Sequence, residues 1–258
     1  MAANAAHRSA RFNTTAVLGC VIAAAWAICA WAEFSGIAAQ LHHHALYESA
    51  RPFWLSAVVV LAAWQFMTVA MMLPSSLAFI RLYAATAARA PDFPVALCAF
   101  LGAYFFVWTA FALAAFAGDM QVHRLVDAWP WLSAHATLIP AATLALAAIY
   151  QFTPLKDACL KACRHPGLYL MSRYRRGALN GFRIGFGHAL FCVGCCWALM
   201  LVMFAAGVAH LAWMGVLAAL MYAEKATPAG ERIVAPAGAA LALLAVAALV
   251  APGVIPGL

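Results

Sequence analysis

Repeated apolar runs, each long enough to cross a lipid bilayer, constrain this chain more than any other feature. A membrane-spanning helix needs about 20 mostly apolar residues; six stretches reach this length and a seventh nearly does. The predicted spans are approximately residues 16–39, 53–79, 94–117, 133–152, 184–206, 208–223 and 233–254. These runs predict an all-α, polytopic transmembrane bundle of about seven helices, with residues 1–258 forming a single integral membrane domain.

Composition excludes a soluble protein. Of the 258 residues, 67% are apolar and only 9% are charged, whereas a soluble domain has about 45–50% apolar and about 25% charged residues. A chain this apolar has too little polar surface to offer water. We therefore expect the lipid bilayer to be its main partner, and a bacterial inner (cytoplasmic) membrane to be its location.

The basic residues predict the orientation of the bundle. With seven spans and a cytoplasmic N-terminus, thirteen of the fifteen Lys and Arg residues fall in inner segments, and only Arg51 and Arg124 fall outside. Cationic residues concentrate on the cytoplasmic side of membrane proteins. Six spans would move Lys225 and Arg232 to the outer side. The net charge of +7 thus has a topological explanation, and we expect no nucleic-acid partner.

The fifth predicted span carries the strongest chemical signal. At about 100° per residue, His188, Cys192, Cys195 and Cys196 share one face of a helix. Soft sulfur ligands favour Cu(I), with Zn(II) as the second choice. The alternative is that small cysteine and glycine side chains allow close helix packing. This face predicts a metal site within the membrane.

A second soft face lies on the second span, where Met67 and Met71 align with Trp64. Its depth matches that of the cysteines, so both methionines are candidate thioether ligands, although a methionine stripe also suits core packing. Pro74 follows on the same helix. Proline lacks an N–H and should leave a carbonyl free one turn upstream.

A short helix is predicted in the inner segment at 153–183. Thr153 is a suitable N-cap, and Pro154 stands where a helix can begin. We expect Pro166 and Gly167 to end this helix.

Cys159 and Cys163 have an i, i+4 spacing, which places both thiols on one side of that short helix. With His165 as a candidate third ligand, they would form a labile metal-transfer site at the inner surface. The alternative is an interfacial or lipid-modified thiol pair. On the outer face, His42, His43 and His44 could collect copper or zinc, or could simply belong to an exposed loop.

Three segments together resemble the DUF2182 family, described as predicted metal-binding integral membrane proteins and sometimes labelled copper chaperones. The resemblance runs from about residue 60 to Lys225. Its motifs are Trp64-x2-Met67-x3-Met71-Met72-Leu73-Pro74-Ser75, Gln151-x-Thr153-Pro154-Leu155-Lys156-x2-Cys159-Leu160-x2-Cys163-Arg164-x-Pro166 and Gly187-x4-Cys192-x-Gly194-Cys195-Cys196-Trp197-x-Leu199-Met200. The resemblance implies a role connected with metal and brings no established mechanism.

The leading hypothesis is a membrane copper-handling protein that assists copper supply or cuproenzyme maturation. Cu(I) would lie between the second and fifth spans, with Cys192, Cys195 and Cys196 as primary ligands and His188, Met67 and Met71 completing the shell. The rival is a structural or accessory subunit of a larger membrane redox complex. A thiol relay through adjacent Cys195 and Cys196 is weaker, because neighbouring Cβ vectors diverge in a helix. The sequence shows no phosphate-binding loop or hydrolase triad, so we expect no enzymatic activity.

Overall fold

Helices form the whole framework of the part of the chain described by the computed structural model, namely residues 2–40, 52–206 and 210–251. The helices are α1 (Ala2–Phe34), α2 (Ile37–Gln40), α3 (Phe53–Ala87), α4 (Phe93–Ala128), α5 (Pro130–Ala134), α6 (Leu138–Gln151), α7 (Pro154–Arg164), α8 (Pro166–Arg173), α9 (Ala178–Ala205), α10 (Leu211–Ala226) and α11 (Gly230–Val250). Within those ranges there is no β-strand. The predicted all-α class is confirmed. The candidate histidines His42, His43 and His44 lie outside the described residues.

Five helices are long and apolar enough to cross a membrane alone: the Thr14–Phe34 part of α1, Trp54–Ala87, Phe93–Ala128, Ala178–Met203 and Gly230–Val250. A sixth span results if α6 and α7, which are bent by 66° at a short break, are taken together. The remaining predicted span corresponds to α10, which has only 16 residues. Seven spans and a cytoplasmic N-terminus therefore stay predictions.

Two features in the middle of the chain differ from the prediction. The span predicted at 133–152 begins only at Leu138, because the short helix α5 and a turn precede it. Helix α7 stops at Arg164, just before His165 and Pro166, as predicted, but Pro166 and Gly167 also begin a further helix, α8, which was not predicted. Proline is well suited to the first turn of a helix because that N–H has no intrahelical partner. Pro154 plays the same part in α7, where the Thr153 hydroxyl accepts the Lys156 N–H at 3.3 Å, as predicted for an N-cap.

Glycines on α9 set its distance from α4. A Cβ at Gly181 would lie 2.5 Å from the Ala96 carbonyl oxygen, and one at Gly185 would overlap the backbone of Phe100. Gly181 faces Ala96 and Gly185 faces Phe100, so residue numbers increase in the same direction along both helices. The two helices therefore run parallel. Small residues four apart let membrane helices approach this closely. The close approach lets Tyr104 of α4 reach Cys192 of α9.

Pro74 lies inside α3, and its effect on the helix is visible one turn upstream. The Ala70 carbonyl, which would otherwise accept an N–H from residue 74, accepts the Trp26 indole N–H at 3.0 Å. The predicted free carbonyl is thus present, and a side chain of α1 satisfies it. This bond ties α1 to α3, because an unsatisfied carbonyl in an apolar interior is costly.

Candidate metal centre

Three thiols on α9 form the centre of the candidate site. Cys192, Cys195 and Cys196 are all buried. The thiols of Cys195 and Cys196 donate to the Cys192 carbonyl oxygen at 3.1 and 2.8 Å. Such back-bonding satisfies their S–H groups within the helix. The face predicted from helical periodicity therefore points into the protein interior.

Helix α7 brings a second pair of thiols to the same place. The Sγ atoms of Cys163 and Cys195 are 4.0 Å apart. Gly194 makes room for this helix, since a Cβ there would lie 2.6 Å from the Cys159 Sγ. The sequence suggested two separate thiol sites, one in the membrane and one at the inner surface. The structure joins them into one cluster drawn from two segments.

Side chains of α3 and α4 contact the opposite side of the thiols. The Met72 Sδ is 3.7 Å from the Cys196 Sγ. The Tyr104 hydroxyl is 3.3 Å from the Cys192 Sγ, and Ser76 Oγ is 3.8 Å from the same sulfur. Ser76 and Tyr104 also share a hydrogen bond of 3.1 Å. The cluster therefore has a thioether and two hydroxyls in its wall.

The predicted thioether ligands Met67 and Met71 are buried in the core. The α3 face that meets the thiols carries Met72 and Ser76, which lie within about 40° of each other at 100° per residue. On the same scale Met71 is about 100° and Met67 about 140° around the helix from Met72. Ligation by Met67 and Met71 stays a prediction, and Met72 is the thioether in contact with a thiol.

His188 lies one turn from Cys192 toward the start of α9 and is buried among aromatic rings. Its ring centroid is 4.1 Å from that of Phe79 and 5.7 Å from that of Tyr104, in stacked arrangements. Among the described residues, neither ring nitrogen has a hydrogen-bond partner. A buried polar atom without a partner is costly. The imidazole therefore retains a free donor or acceptor next to the thiols.

A lysine completes the cluster. Lys225, in the last turn of α10, is only 6% exposed. Its Nζ is 3.3 Å from the Cys192 Sγ, 3.6 Å from the Cys196 Sγ and 3.4 Å from the Ser75 hydroxyl. An ammonium group thus lies directly against two of the three α9 thiols.

The neighbouring acid, Glu224, is paired elsewhere. One carboxylate oxygen accepts from Lys156 at 2.7 Å and the other accepts from the Gln151 side chain at 3.0 Å. Arg164 donates to the Glu224 and Thr227 carbonyl oxygens at 2.6 and 2.9 Å, which satisfies the open C-terminus of α10. These bonds fasten α7 to α10 beneath the thiols.

A pocket of about 490 Å³ leads from the basic end of the bundle to the cluster. The exposed Arg81 lies at its rim, and Ser75, Cys163, Arg164 and Lys225 contribute to its wall. Cys163 therefore borders both the pocket and the buried thiols.

Comparison with known proteins identifies the family. The family model described as PpoB2, copper chaperone, matches residues 61–248, which is most of the chain. The chain belongs to the PpoB2 copper-chaperone family. Neither the curated proteins nor the solved structures include a match to it.

The donor chemistry fits the cargo that this family's description implies. Thiolates and thioethers are soft ligands that select Cu(I). A metal–thiolate bond of about 2.3 Å allows one ion to bridge sulfurs up to about 4.6 Å apart, and the 4.0 Å between Cys163 and Cys195 is within this limit. Within the described ranges, however, no three His, Cys, Asp or Glu side chains are arranged to hold one metal ion. Cys163 and Cys195 therefore form a two-sulfur site.

Several residues that contact the thiols were not predicted as part of the candidate site. Met72 belongs to the motif that resembles the family, but the helical face shared by Trp64, Met67, Met71 and Ser75 favoured Met67 and Met71 as the thioether ligands. Tyr104 and Ser76 carry no local signal, because their role depends on the distance between α3, α4 and α9. Lys225 was counted as an inner-surface charge. Lys225 directly follows Glu224 at the end of a short apolar run, and this position is the sequence feature that could have indicated a buried lysine.

Proposed function

We propose that this protein is a membrane-embedded Cu(I)-binding protein that assists copper supply or the maturation of a cuproenzyme. One observation carries the proposal: α7 and α9, distant in sequence, bring Cys163, Cys192, Cys195 and Cys196 together in the protein interior. Membership of the copper-chaperone family supports copper as the metal. Packing alone does not require four thiols, a thioether and an ammonium in one cluster.

The pocket suggests how a copper ion would reach the buried thiols. Cys163 is half-buried on the pocket wall, and its Sγ is 4.0 Å from the Cys195 Sγ. A Cu(I) ion held first by Cys163 can pass to Cys195 by exchange of one sulfur ligand at a time. As the bond from Cu(I) to the Cys195 Sγ forms, the Cys195 thiol loses its proton and the bond from Cu(I) to the Cys163 Sγ breaks. The released Cys163 thiolate takes up that proton, and the ion keeps its oxidation state. The protein in this proposal is a carrier and not an enzyme.

The recipient in this proposal is a cuproenzyme or another subunit of a membrane complex, in the bacterial inner membrane. Cys159 lies against Gly194 beside the same cluster and is a further candidate ligand in this proposal. His188, with both ring nitrogens free of partners among the described residues, is a candidate nitrogen ligand one helical turn from Cys192. Met67 and Met71 complete the proposed set as thioethers deeper in α3.

We infer seven spans with the N-terminus in the cytoplasm, α10 being a short span. Impermeant maleimide applied to intact spheroplasts tests this orientation, after the exposed Cys20 and Cys98 are changed to alanine. A Leu125→Cys reporter, 58% exposed, should react, and a Met171→Cys reporter, 85% exposed, should not. The reversed pattern would overturn the orientation.

Copper binding itself is tested on protein purified in detergent under reducing conditions. We expect about one Cu(I) per chain, measured by competition with a chelating dye. The combined Cys192→Ser, Cys195→Ser and Cys196→Ser variant should lose this copper, because a hard hydroxyl is a poor ligand for a soft ion. Serine is close in size and is also accepted at helix contacts, so the variant should still insert and fold.

The matched control is Cys29→Ser, which makes the same change at a buried cysteine of α1 outside the cluster. It should retain wild-type copper. An unchanged copper ratio in the triple variant would refute the site. A wild-type protein without copper would favour the accessory-subunit hypothesis.

A further inference from the structure

Lys225 presents a buried positive charge to two thiols and a hydroxyl. Its contacts are the Cys192 and Cys196 sulfurs and the Ser75 hydroxyl. Across the described ranges, no carboxylate lies within ion-pair distance of its Nζ; the adjacent Glu224 is paired with Lys156. A buried charge is unfavourable unless a counter-charge compensates it. Hydroxyl groups and neutral thiols do not supply one.

The position of this charge is fixed by the surrounding structure. Lys156 and Gln151 hold both carboxylate oxygens of Glu224, and Arg164 holds its carbonyl. Since these bonds anchor residue 224 from the α7 side, the next residue is directed toward the thiols of α9. Both carboxylate oxygens of Glu224 already have a donor from another residue, and the Lys225 side chain contacts the thiols instead.

We propose that Lys225 is a specificity-determining residue that selects a monovalent soft cation over a divalent one. This inference rests on the proposed copper function. A monovalent ion held by two thiolates carries one net negative charge, which the ammonium group neutralises. A divalent ion held by the same two thiolates has no net charge, so the ammonium is left uncompensated and repels the ion.

The charge is decisive because two thiolates, and not three, hold the ion in this proposal. A third thiolate would restore the balance for Zn(II), but the described residues offer no set of three such donors for one ion. Electrostatic interactions are strong at a separation of 3.3–3.6 Å in a poorly solvated interior. Soft sulfur ligands bind both Cu(I) and Zn(II). In this proposal the lysine discriminates between the two ions by their charge, which the sulfur ligands alone do not.

The experiment is a competition between metals for the full-length protein in detergent under reducing conditions. Wild type, Lys225→Met, Lys225→Arg and the control Lys161→Met are each equilibrated with buffered Cu(I) and Zn(II), and the bound metals are measured by elemental analysis. Lys161 is exposed and paired with Asp157. The copper-to-zinc ratio should fall at least about tenfold in Lys225→Met. It should be preserved in Lys225→Arg and Lys161→Met.

A second competition, between Ag(I) and Cd(II), separates charge from softness because both ions are soft. The silver-to-cadmium ratio should fall in Lys225→Met in the same way. Lys225→Gln, which keeps a donor for Ser75 without the charge, should shift both ratios in the same direction and serves if the methionine variant does not fold.

The outcomes distinguish this inference from the function on which it rests. Wild-type protein that binds no Cu(I) refutes the proposed function. Selective Cu(I) binding by wild type with unchanged ratios in the methionine and glutamine variants refutes only the role of Lys225. Falling ratios in both variants with retention in Lys225→Arg support it.

Discussion

Two of the close contacts that helix α9 makes through glycine, one toward α4 and one toward α7, differ in what they bring together. Toward α4, Gly181 and Gly185 lie against backbone atoms, and the surrounding contacts are aromatic. Toward α7, Gly194 lies against the Cys159 side chain, and the surrounding contacts are thiols and buried charges. The contact with α4 fixes the spacing of two long helices. The contact with α7 brings the thiols of two helices together.

The difference also concerns how each contact is held. The α4 side relies on shape, as expected where lipid offers helices no hydrophobic driving force for association. The α7 side relies on the ion pair between Lys156 and Glu224, and on Arg164 at the end of α10. Buried ion pairs add little net stability but are costly to break. A function that needs α7 in place explains their presence better than stability does.

The largest expected effect comes from breaking the ion pair. Glu224→Met leaves the Lys156 ammonium buried and unpaired, which should lower the free energy of unfolding by about 3–5 kcal/mol. Thermal unfolding in detergent measures the change. The double variant with Lys156→Met should recover most of the loss, because no unpaired charge remains. A single variant as stable as the double would show that charge does not hold α7 in place.

A smaller effect distinguishes the two glycine contacts directly. Gly185→Ala and Gly194→Ala should each cost about 1–3 kcal/mol of unfolding free energy through overpacking. Cys159→Ala should relieve the strain in Gly194→Ala, because the obstructing atom belongs to a side chain. No side-chain substitution can relieve the strain in Gly185→Ala in the same way, because the obstructing atoms belong to the Phe100 backbone. Equal behaviour of the two sites would remove the distinction between a backbone and a side-chain contact.

The smallest expected effect lies away from both faces of α9, at the bond between Trp26 and the Ala70 carbonyl. Trp26→Phe should lower the free energy of unfolding by about 0.5–1.5 kcal/mol, the usual range for one hydrogen bond. The cost should shrink in a Pro74→Ala background, where residue 74 regains an N–H for that carbonyl. An undiminished cost there would mean that ring packing, and not the carbonyl, is what Trp26 contributes.

Sequence reasoning succeeded where a property is local. Apolar length predicted the long helices, Thr153 and Pro154 predicted the start of α7, and periodicity predicted that Cys192, Cys195 and Cys196 share a buried face. It could not show that α7 turns back against α9, because a 66° bend between two helices leaves no periodic signal.

Charge was the feature most open to misreading. Lys156 and Lys225 were counted with the inner-surface cations that orient the bundle, but both are buried and held by partners. A count of charges along the chain treats every lysine as a cation at the membrane surface. Only the tertiary structure separates the lysines that mark a membrane surface from those buried against a carboxylate or against thiols.

The bond between Lys156 and Glu224 has a consequence for the order in which the protein is made. Its two residues are 68 positions apart, so at about 5–20 residues per second the ribosome needs roughly 3–14 s to supply the partner of Lys156. Cys163 and Cys195 are both synthesised before Glu224, so the buried ion pair that fastens α7 to α10 forms only after both of these thiols have been made.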